Sequence, residues 1–146
     1  MAALTTHRDT KQYSTEAVPS LFEYTMGSGA TIYQGSIVVL DAGVAVAATT
    51  DTGLTCVGMA MKTLTNASGG TTKIPVRCGA FIWGNSGSSD LIALTEVGSD
   101  CYIVDDQTVA KTGAPSGNPS VNTRSRAGKI LNVTTSGVTV LMGPMF

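Results

Sequence analysis

Charged side chains are scarce in this sequence. Of its 146 residues only 13% are Asp, Glu, Lys or Arg, and the formal net charge is -1. A protein that grips nucleic acid or an anionic membrane surface needs a concentrated basic face, because Lys and Arg hold the phosphates. The sequence offers no such face, so we expect neither direct nucleic-acid binding nor membrane binding.

Long apolar runs are also missing. No stretch approaches the about 18 consecutive apolar residues that indicate a membrane-spanning helix. The first residues, Met1–Lys11, lack the apolar region of a secretory signal. We therefore expect a protein that is made in a cytoplasm.

The sequence has one histidine and no paired cysteines. His7 lies in a polar stretch, where it cannot readily act as the base of a nucleophilic triad built in a core pocket. Cys56, Cys78 and Cys101 are odd in number, widely spaced and set among apolar residues, which is typical of buried reduced thiols. We expect no catalytic residues, no metal and no cofactor.

Two polar pairs remain as candidates for a site. Asp105 and Asp106 are adjacent carboxylates, which we interpret as a solvated turn whose side chains bond the local backbone. Arg124 and Arg126 could hold a phosphate, but they lack interleaved aromatic residues and are more typical of a solvated loop. Neither pair predicts a catalytic or ligand-binding site.

Aromatic residues make up only 5% of the chain. Phe81 and Trp83 are separated by one residue and share one face of a predicted strand. That face could be a platform for a carbohydrate, although core or a subunit interface is the commoner role of such a pair.

Small and β-branched residues take the place of charges and aromatics. Apolar runs of four to eight residues alternate with Gly, Asn, Asp and Ser clusters, a pattern that predicts strands joined by turns. We predict an all-β fold, a small single-domain β-barrel or β-sandwich, with one helical turn at Leu91–Val97 and hairpin turns at Asp41–Gly43 and Ser136–Gly137. Pro75 hints at an edge strand or a bulge. The predicted strands are Thr31–Tyr33, Ser36–Leu40, Val44–Ala47, Thr55–Met61, Lys73–Arg77, Ala80–Trp83, Asp100–Val104, Thr108–Lys111, Lys129–Val133 and Val138–Met142.

The composition divides the chain into an arm and a domain. Residues 1–20 have no periodic apolar pattern and predict an extended N-terminal arm, which precedes a β-rich domain over residues 21–146. Within the domain, residues 112–126 hold two prolines and two glycines and predict a long exposed loop.

Taken in order, several segments resemble a family of small tailed-bacteriophage capsid decoration (cement) proteins. The resemblance covers nearly the whole chain, and its most specific part is Gly98–Lys111. The loop at 113–126 is longer than the family's pattern leads us to expect, and the last four residues, Gly143–Phe146, are not part of that pattern. The other matching segments are Met1–Thr5 with Arg8 and Thr10, Ala30–Asp41, Thr52–Ala60, Val76–Phe81 with Asn85 and Ser86, Ala127–Val133 and Gly137–Val140.

The resemblance implies a structural protein of the virion. Such a protein docks on the outer surface of an icosahedral phage head, commonly as a homotrimer, and clamps neighbouring copies of the major capsid protein. It also implies that the arm contacts the capsid over residues 2–18. There, Arg8, Asp9, Lys11 and Tyr13 are the side chains expected to carry orientation and affinity.

One other class stays open from the sequence. A head-associated module that binds host surface glycans would use Trp83 and the loop at 112–126. The low aromatic content argues against it, because such modules stack sugars on exposed rings.

Overall fold

Strands dominate the computed structural model, which describes residues 20–114 and 121–146. The predicted all-β fold class is confirmed. The strands of this part of the chain are β1 Leu21–Thr25, β2 Thr31–Ile32, β3 Ile37–Asp41, β4 Val44–Ala47, β5 Thr55–Ala60, β6 Leu64–Thr65, β7 Lys73–Arg77, β8 Gly79–Asn85, β9 Asp100–Ile103, β10 Thr108–Ala110, β11 Arg126–Thr134 and β12 Gly137–Met142. Two short 3₁₀ helices, Ser88–Asp90 and Leu94–Glu96, lie between β8 and β9.

A closed barrel forms from the C-terminal strands. Its strand order is β10-β8-β12-β11-β9, and the β10–β8 pair is parallel while the other pairs are antiparallel. Side chains alternate along β12, so that Val138, Val140 and Met142 are buried in the barrel core. Closure leaves no free edge, which resolves the choice between barrel and sandwich.

The N-terminal strands form a five-stranded sheet with the order β1-β7-β5-β3-β4. Met26, directly after β1, forms a parallel bridge with Ala45 of β4 at the other edge. The sheet therefore curls until its two edges meet. A second core lies inside it, with Met26, Val57, Ile74 and Val76 among its buried residues.

Strand β3 packs against both cores. Ile37 and Val39 belong to the barrel cluster, while Val38 between them belongs to the second cluster. All three are fully buried, because the sheet has the barrel on one face and its own core on the other. This two-sided burial accounts for a run of consecutive apolar residues where a half-exposed strand would alternate.

A turn and a bulge of this sheet depend on positive backbone φ angles. Ala42 and Gly43 both have positive φ, 47° and 87°, and they form the two-residue hairpin turn between β3 and β4. In β5, Gly58 has φ 135° within a bulge opposite Val38 and Val39. A β-carbon on Gly58 would lie 2.3 Å from the carbonyl oxygen of Arg77, so only glycine lets β7 approach this closely.

The ten predicted strands are confirmed, with bounds that differ by up to three residues. Two strands of the described chain were not predicted, β1 and the two-residue β6. Strand β1, which pairs with β7 from Leu21 opposite Arg77, was missed because its exposed and half-buried side chains, Leu21 to Thr25, give no clear apolar alternation. The predicted helical turn at Leu91–Val97 is instead a pair of 3₁₀ helices that begins three residues earlier.

Pro75 does not mark an edge strand, and that part of the prediction is wrong. Strand β7 lies inside the sheet between β1 and β5. The proline is tolerated because β5 ends at Ala60, so that the last contact on this side is the Met61 amide donating to the Pro75 carbonyl, at 2.9 Å. The missing N–H of Pro75 falls where the ladder stops.

Candidate interaction surface

The segment between β8 and β9, residues 86–99, lies at the end of the barrel where β8 ends and β9 begins, and is here called the cap segment. Its anchor is Ile92, which is buried in the barrel core. The side chain of Asn85 bonds both polar groups of the Ile92 backbone. Its amide nitrogen donates to the Ile92 carbonyl at 2.8 Å, and its oxygen accepts the Ile92 N–H at 3.0 Å. The cap segment is therefore fixed to the barrel.

The second 3₁₀ helix orients two apolar side chains alike. The Val97 amide donates to the Leu94 carbonyl at 3.2 Å, and residues three apart eclipse one another in this helix. The Glu96 carboxylate accepts the Ala93 N–H at 2.7 Å, which fixes the start of the turn. This backbone hydrogen bond is the main reason why the pKa of Glu96 lies below its ordinary value.

Four apolar side chains are exposed on and beside the cap segment. Leu91, Leu94 and Val97 are 48%, 63% and 44% exposed, and Leu131 of β11 is 42% exposed. The backbone before Leu131 is close to the end of the cap segment, because the Gly98 amide donates to the Ile130 carbonyl at 2.8 Å. We call these four residues the cap surface.

The cap surface is an uncommon feature for a solvent-facing part of a protein. Single exposed apolar residues are ordinary, but contiguous groups mark interaction sites. Covering four half-exposed side chains contributes about 1 kcal/mol each, or on the order of 4 kcal/mol in all. Association also costs translational and rotational freedom, so this contribution alone does not hold a partner.

An ion pair joins the cap segment to the base of the long loop. Arg124 Nη1 lies 3.1 Å from Asp90 Oδ2 and 3.0 Å from the Thr112 carbonyl, and the Thr112 hydroxyl donates to Asp90 Oδ1 at 2.8 Å. The Thr123 amide donates to the Gly113 carbonyl at 2.9 Å, so the two ends of the loop are held together. Partial burial raises the pKa of Asp90, but the hydrogen bonds from Thr112 and Arg124 outweigh it and the pKa is lowered.

The interpretation of Arg124 and Arg126 as solvated loop residues is therefore wrong. Arg126 is the first residue of β11, and its Nε lies 2.9 Å from Asp100 Oδ1. Its Nη1 also donates to the Phe146 carbonyl. The two arginines were misread because their acidic partners, Asp90 and Asp100, are distant in sequence and become neighbours only in the fold.

The other residues singled out in the sequence have structural roles. Asp105 Oδ1 accepts the Gln107 N–H at 2.9 Å in the turn between β9 and β10, as predicted. Trp83 is buried in the barrel core, where its ring meets Phe81 edge to face at a centroid distance of 6.2 Å. A carbohydrate platform needs an exposed ring face, which Trp83 does not offer.

The three cysteines are buried and unpaired, as predicted. Burial raises the pKa of Cys56 and of Cys101 to about 12, and it also raises the pKa of Cys78. In the described parts of the chain no three His, Cys, Asp or Glu residues cluster so as to hold a metal ion. These parts also contain no helix with the length and hydropathy needed to cross a membrane.

The four predicted capsid-contact residues, Arg8, Asp9, Lys11 and Tyr13, lie outside the described residues. The place where the arm joins the domain, at Ser20, lies among the described residues. The Ser20 carbonyl accepts the Cys78 amide at 2.7 Å, and Cys78 directly precedes β8.

The root of the arm at Ser20 and the cap segment are thus at opposite ends of β8. This strand has seven residues and begins at Gly79, beside the root of the arm, while the cap segment follows its last residue, Asn85. At about 3.3 Å per residue the two ends are roughly 20 Å apart.

Sequence analysis missed the cap surface. Leu91, Leu94 and Val97 recur every third residue in a segment otherwise made largely of small and polar residues, and this spacing was the available signal. Leu131 could not have been added, because it joins the group through a contact between β11 and the cap segment.

Comparison with protein-family models, with curated proteins and with solved structures finds no match to this chain.

Proposed function

We propose that this protein is a structural capsid decoration protein, which binds the outside of an icosahedral phage head and stabilises its coat lattice. The observation that supports the proposal most directly is the cap surface: exposed apolar side chains on a firmly anchored segment are what a protein-binding surface requires. The second support is the ordered sequence resemblance to phage cement proteins, of which Gly98–Lys111 is the most specific part.

The physical basis of the stabilisation is linkage. A protein that binds the assembled shell and not the dissociated coat subunits shifts the equilibrium towards the shell by mass action. Each contact can be weak, because many copies on one lattice raise the effective concentration of the next contact. A cap surface whose burial is worth only on the order of 4 kcal/mol suits such a repeated contact.

In this proposal the partner is the major capsid protein, and three copies of the decoration protein sit together on the shell. The arm makes the other contact with the coat, through Arg8, Asp9, Lys11 and Tyr13. A polar segment that orders on binding can cover a large area at moderate affinity. The protein would be made in the host cytoplasm and end on the outer surface of the virion.

Sedimentation of a phage-producing lysate tests the proposal. The amounts of this protein and of the major coat protein are measured in each fraction. We expect this protein to migrate with full heads at a fixed ratio to coat protein. If it stays in the soluble fractions while intact heads sediment without it, the proposal is wrong.

Deleting residues 2–18 tests the role of the arm. The truncated protein should keep the β-type circular dichroism spectrum, because the barrel and sheet cores are built from described residues after Ser20. It should bind heads much more weakly than the full chain. Loss of the β spectrum would show that the arm is needed for folding.

A further inference from the structure

We propose that the cap surface docks on an apolar patch of the coat lattice that carries a basic side chain, and that Glu96 is the acidic partner of this side chain. The inference rests on the proposed function and names the chemistry of the surface that the cap contacts. Leu94 and Val97 supply the apolar part of the contact, and the Glu96 carboxylate, between them in sequence, supplies its charge.

The carboxylate of Glu96 is held at the cap surface. Its Oε2 accepts the Ala93 amide at 2.7 Å, and its Oε1 accepts the Thr95 hydroxyl at 3.1 Å. Ala93 and Thr95 are the two residues on either side of Leu94, which is 63% exposed. The negative charge is therefore fixed close to the most exposed apolar side chain of the cap surface.

No cation of the described chain forms an ion pair with Glu96. The acidic members of the ion pairs in this part of the chain are Asp90 and Asp100. The hydrogen bond from the Ala93 amide is the main reason why the pKa of Glu96 is lowered, and the charge of Lys111 contributes less. The lowered pKa keeps the carboxylate ionised at neutral pH. The cap surface thus carries a negative charge that no cation contacts.

This unpaired carboxylate restricts which partner can cover the cap surface. A charge that loses water on binding without gaining an opposite charge makes association unfavourable, whereas a complementary charge selects the partner. A wholly apolar patch would leave Glu96 desolvated and unpaired, and an acidic patch would repel it. Asp90 adds no further demand, because it is already paired with Arg124 at 3.1 Å. The fitting partner is an apolar patch with a lysine or arginine that reaches Glu96.

The size of the cap surface argues for a lattice as its partner. A stable interface between two free proteins uses roughly 20–30 residues on each side. The cap surface has four exposed apolar side chains, which is too few to join two copies of this chain in dilute solution. Three copies that sit together on the shell, as in the proposed function, present this contact three times to one lattice. Linked contacts of this kind raise the effective concentration of one another.

The first experiment measures binding of the full chain to expanded heads that lack this protein, at about 0.1 M and about 1 M salt. Glu96→Gln removes the charge but keeps an oxygen that can accept the Ala93 amide, so the variant should keep the same circular dichroism spectrum. We expect its dissociation constant for heads to rise by about threefold to tenfold at the lower salt concentration. At the higher concentration the difference from the unchanged protein should largely disappear, because the Debye length falls from about 10 Å to about 3 Å.

Charge reversal sharpens this test. Glu96→Lys should weaken binding at the lower salt concentration by about tenfold to a hundredfold. The matched control is Asp105→Asn, because Asp105 is also a carboxylate that accepts a nearby backbone amide, and it should bind like the unchanged protein at both concentrations. If Glu96→Gln binds like the unchanged protein at both concentrations, or if Glu96→Lys binds more tightly, the partner is not basic and the inference is wrong.

The double variant L94S/V97S tests the apolar part of the contact. Both side chains are already about half exposed, so the variant should fold normally. We expect its dissociation constant for heads to rise by about tenfold, and this loss should persist at the higher salt concentration because salt does not screen apolar burial. The control is Tyr33→Ser, which removes a 62% exposed side chain in the turn between β2 and β3 and should not change binding. An unchanged dissociation constant for L94S/V97S would overturn the inference.

The second experiment identifies what the cap touches. A photoreactive benzoylphenylalanine replaces Leu94, and heads carrying this protein are irradiated. We expect a covalent product with the mass of coat protein plus this chain, and no such product when the probe replaces Tyr33. A product that contains only two copies of this chain would mean that the cap joins decoration subunits, and the inference would be wrong.

The outcomes separate this inference from the proposed function. If the unchanged protein does not bind heads at all, the proposed function fails. If the unchanged protein binds, while the Glu96 variants bind equally well or Leu94 crosslinks only to another copy, the proposed function stands and the docking of the cap on a basic coat patch fails.

Discussion

Asp90 and Arg124 are 34 residues apart in sequence and form an ion pair of 3.1 Å with side chains that are only 16% and 12% exposed. Asp90 belongs to the cap segment, and Arg124 closes the base of the long loop. The pair therefore joins two surface elements, which are also linked by the hydrogen bonds from the Thr112 hydroxyl and the Lys111 amide to Asp90.

Asp90→Asn should destabilise the protein by about 1–2 kcal/mol, because Arg124 loses its charged partner while it stays mostly buried. Urea denaturation followed by circular dichroism measures the change. The control is Asp105→Asn, whose exposed side chain bonds only the Gln107 amide. Equal stabilities of the Asp90 and Asp105 variants would show that the ion pair contributes nothing.

The contribution of Asp90 should also depend on pH. The pKa of Asp90 in the folded protein is lowered from its ordinary 3.8, so the folded state favours the charged carboxylate. The resulting stability is fully present above the unfolded pKa and is lost as the pH falls through the lower, folded pKa. The difference in unfolding free energy between the unchanged protein and Asp90→Asn should therefore be constant near neutral pH and shrink below about pH 4. A difference that grows with acid would contradict this.

Asn66→Ala should cost about 3 kcal/mol or more. Asn66 is fully buried, and its amide nitrogen donates to the carbonyls of Met26, Gly27 and Gly70 at 2.9 to 3.1 Å. Alanine would remove these hydrogen bonds and the one that the Thr72 amide donates to Asn66 Oδ1 at 3.2 Å. Thermal unfolding measures the loss.

The matched control for that variant is Asn132→Ala, because Asn132 is exposed and bonds only the adjacent Val133 amide. It should lower the midpoint of thermal unfolding by far less than Asn66→Ala. Similar midpoints for the two variants would mean that the buried network of Asn66 is not needed.

Gly58→Ala should prevent normal folding or cost several kcal/mol, because its β-carbon would overlap the carbonyl oxygen of Arg77. Gly53→Ala is the control that separates the effect of this clash on stability from the effect of backbone strain. Gly53 also has positive φ, 74°, but nothing lies within 4 Å of an added β-carbon, so only about 1–2 kcal/mol should be lost. Comparison of soluble yield and urea midpoint tests the pair, and equal losses would show that the close approach of β7 is unimportant.

The thiols of the folded protein should not react with a thiol reagent at pH 8. Burial raises the pKa of Cys56 and Cys101 to about 12, which leaves almost no thiolate, and it also raises that of Cys78. In guanidinium chloride all three cysteines should react. A thiol that reacts rapidly in the folded protein would contradict the burial.

The positions of most strands could be predicted from local patterns. Lys73–Arg77 alternates polar and apolar residues, and the predicted strand is the observed one. Asp41–Gly43 was predicted as a hairpin turn, and the positive φ of Ala42 and Gly43 confirms it. These features depend on neighbours in sequence, so the sequence carries their signal.

The burial of the cysteines was also predictable, because an apolar residue lies within two positions of each of them: Val57, Val76 and Ile103. The cap surface could be predicted only in part. The spacing of Leu91, Leu94 and Val97 can be read from the sequence, whereas their exposure depends on the tertiary structure. Whether an apolar residue faces a core or solvent depends on which other elements cover it, and Ile92 between them is buried.

Sequence alone determined an all-β protein with few charges, reduced thiols and strands at definable places. Only the tertiary structure decided that the C-terminal strands close into a barrel, because closure depends on the pairing of β8 with β10 and β12, far apart in the chain. It also decided that Arg124 pairs with Asp90, and that the arm root and the cap lie at opposite ends of β8. Such relationships arise from contacts between residues distant in sequence, which local secondary-structure propensity does not determine.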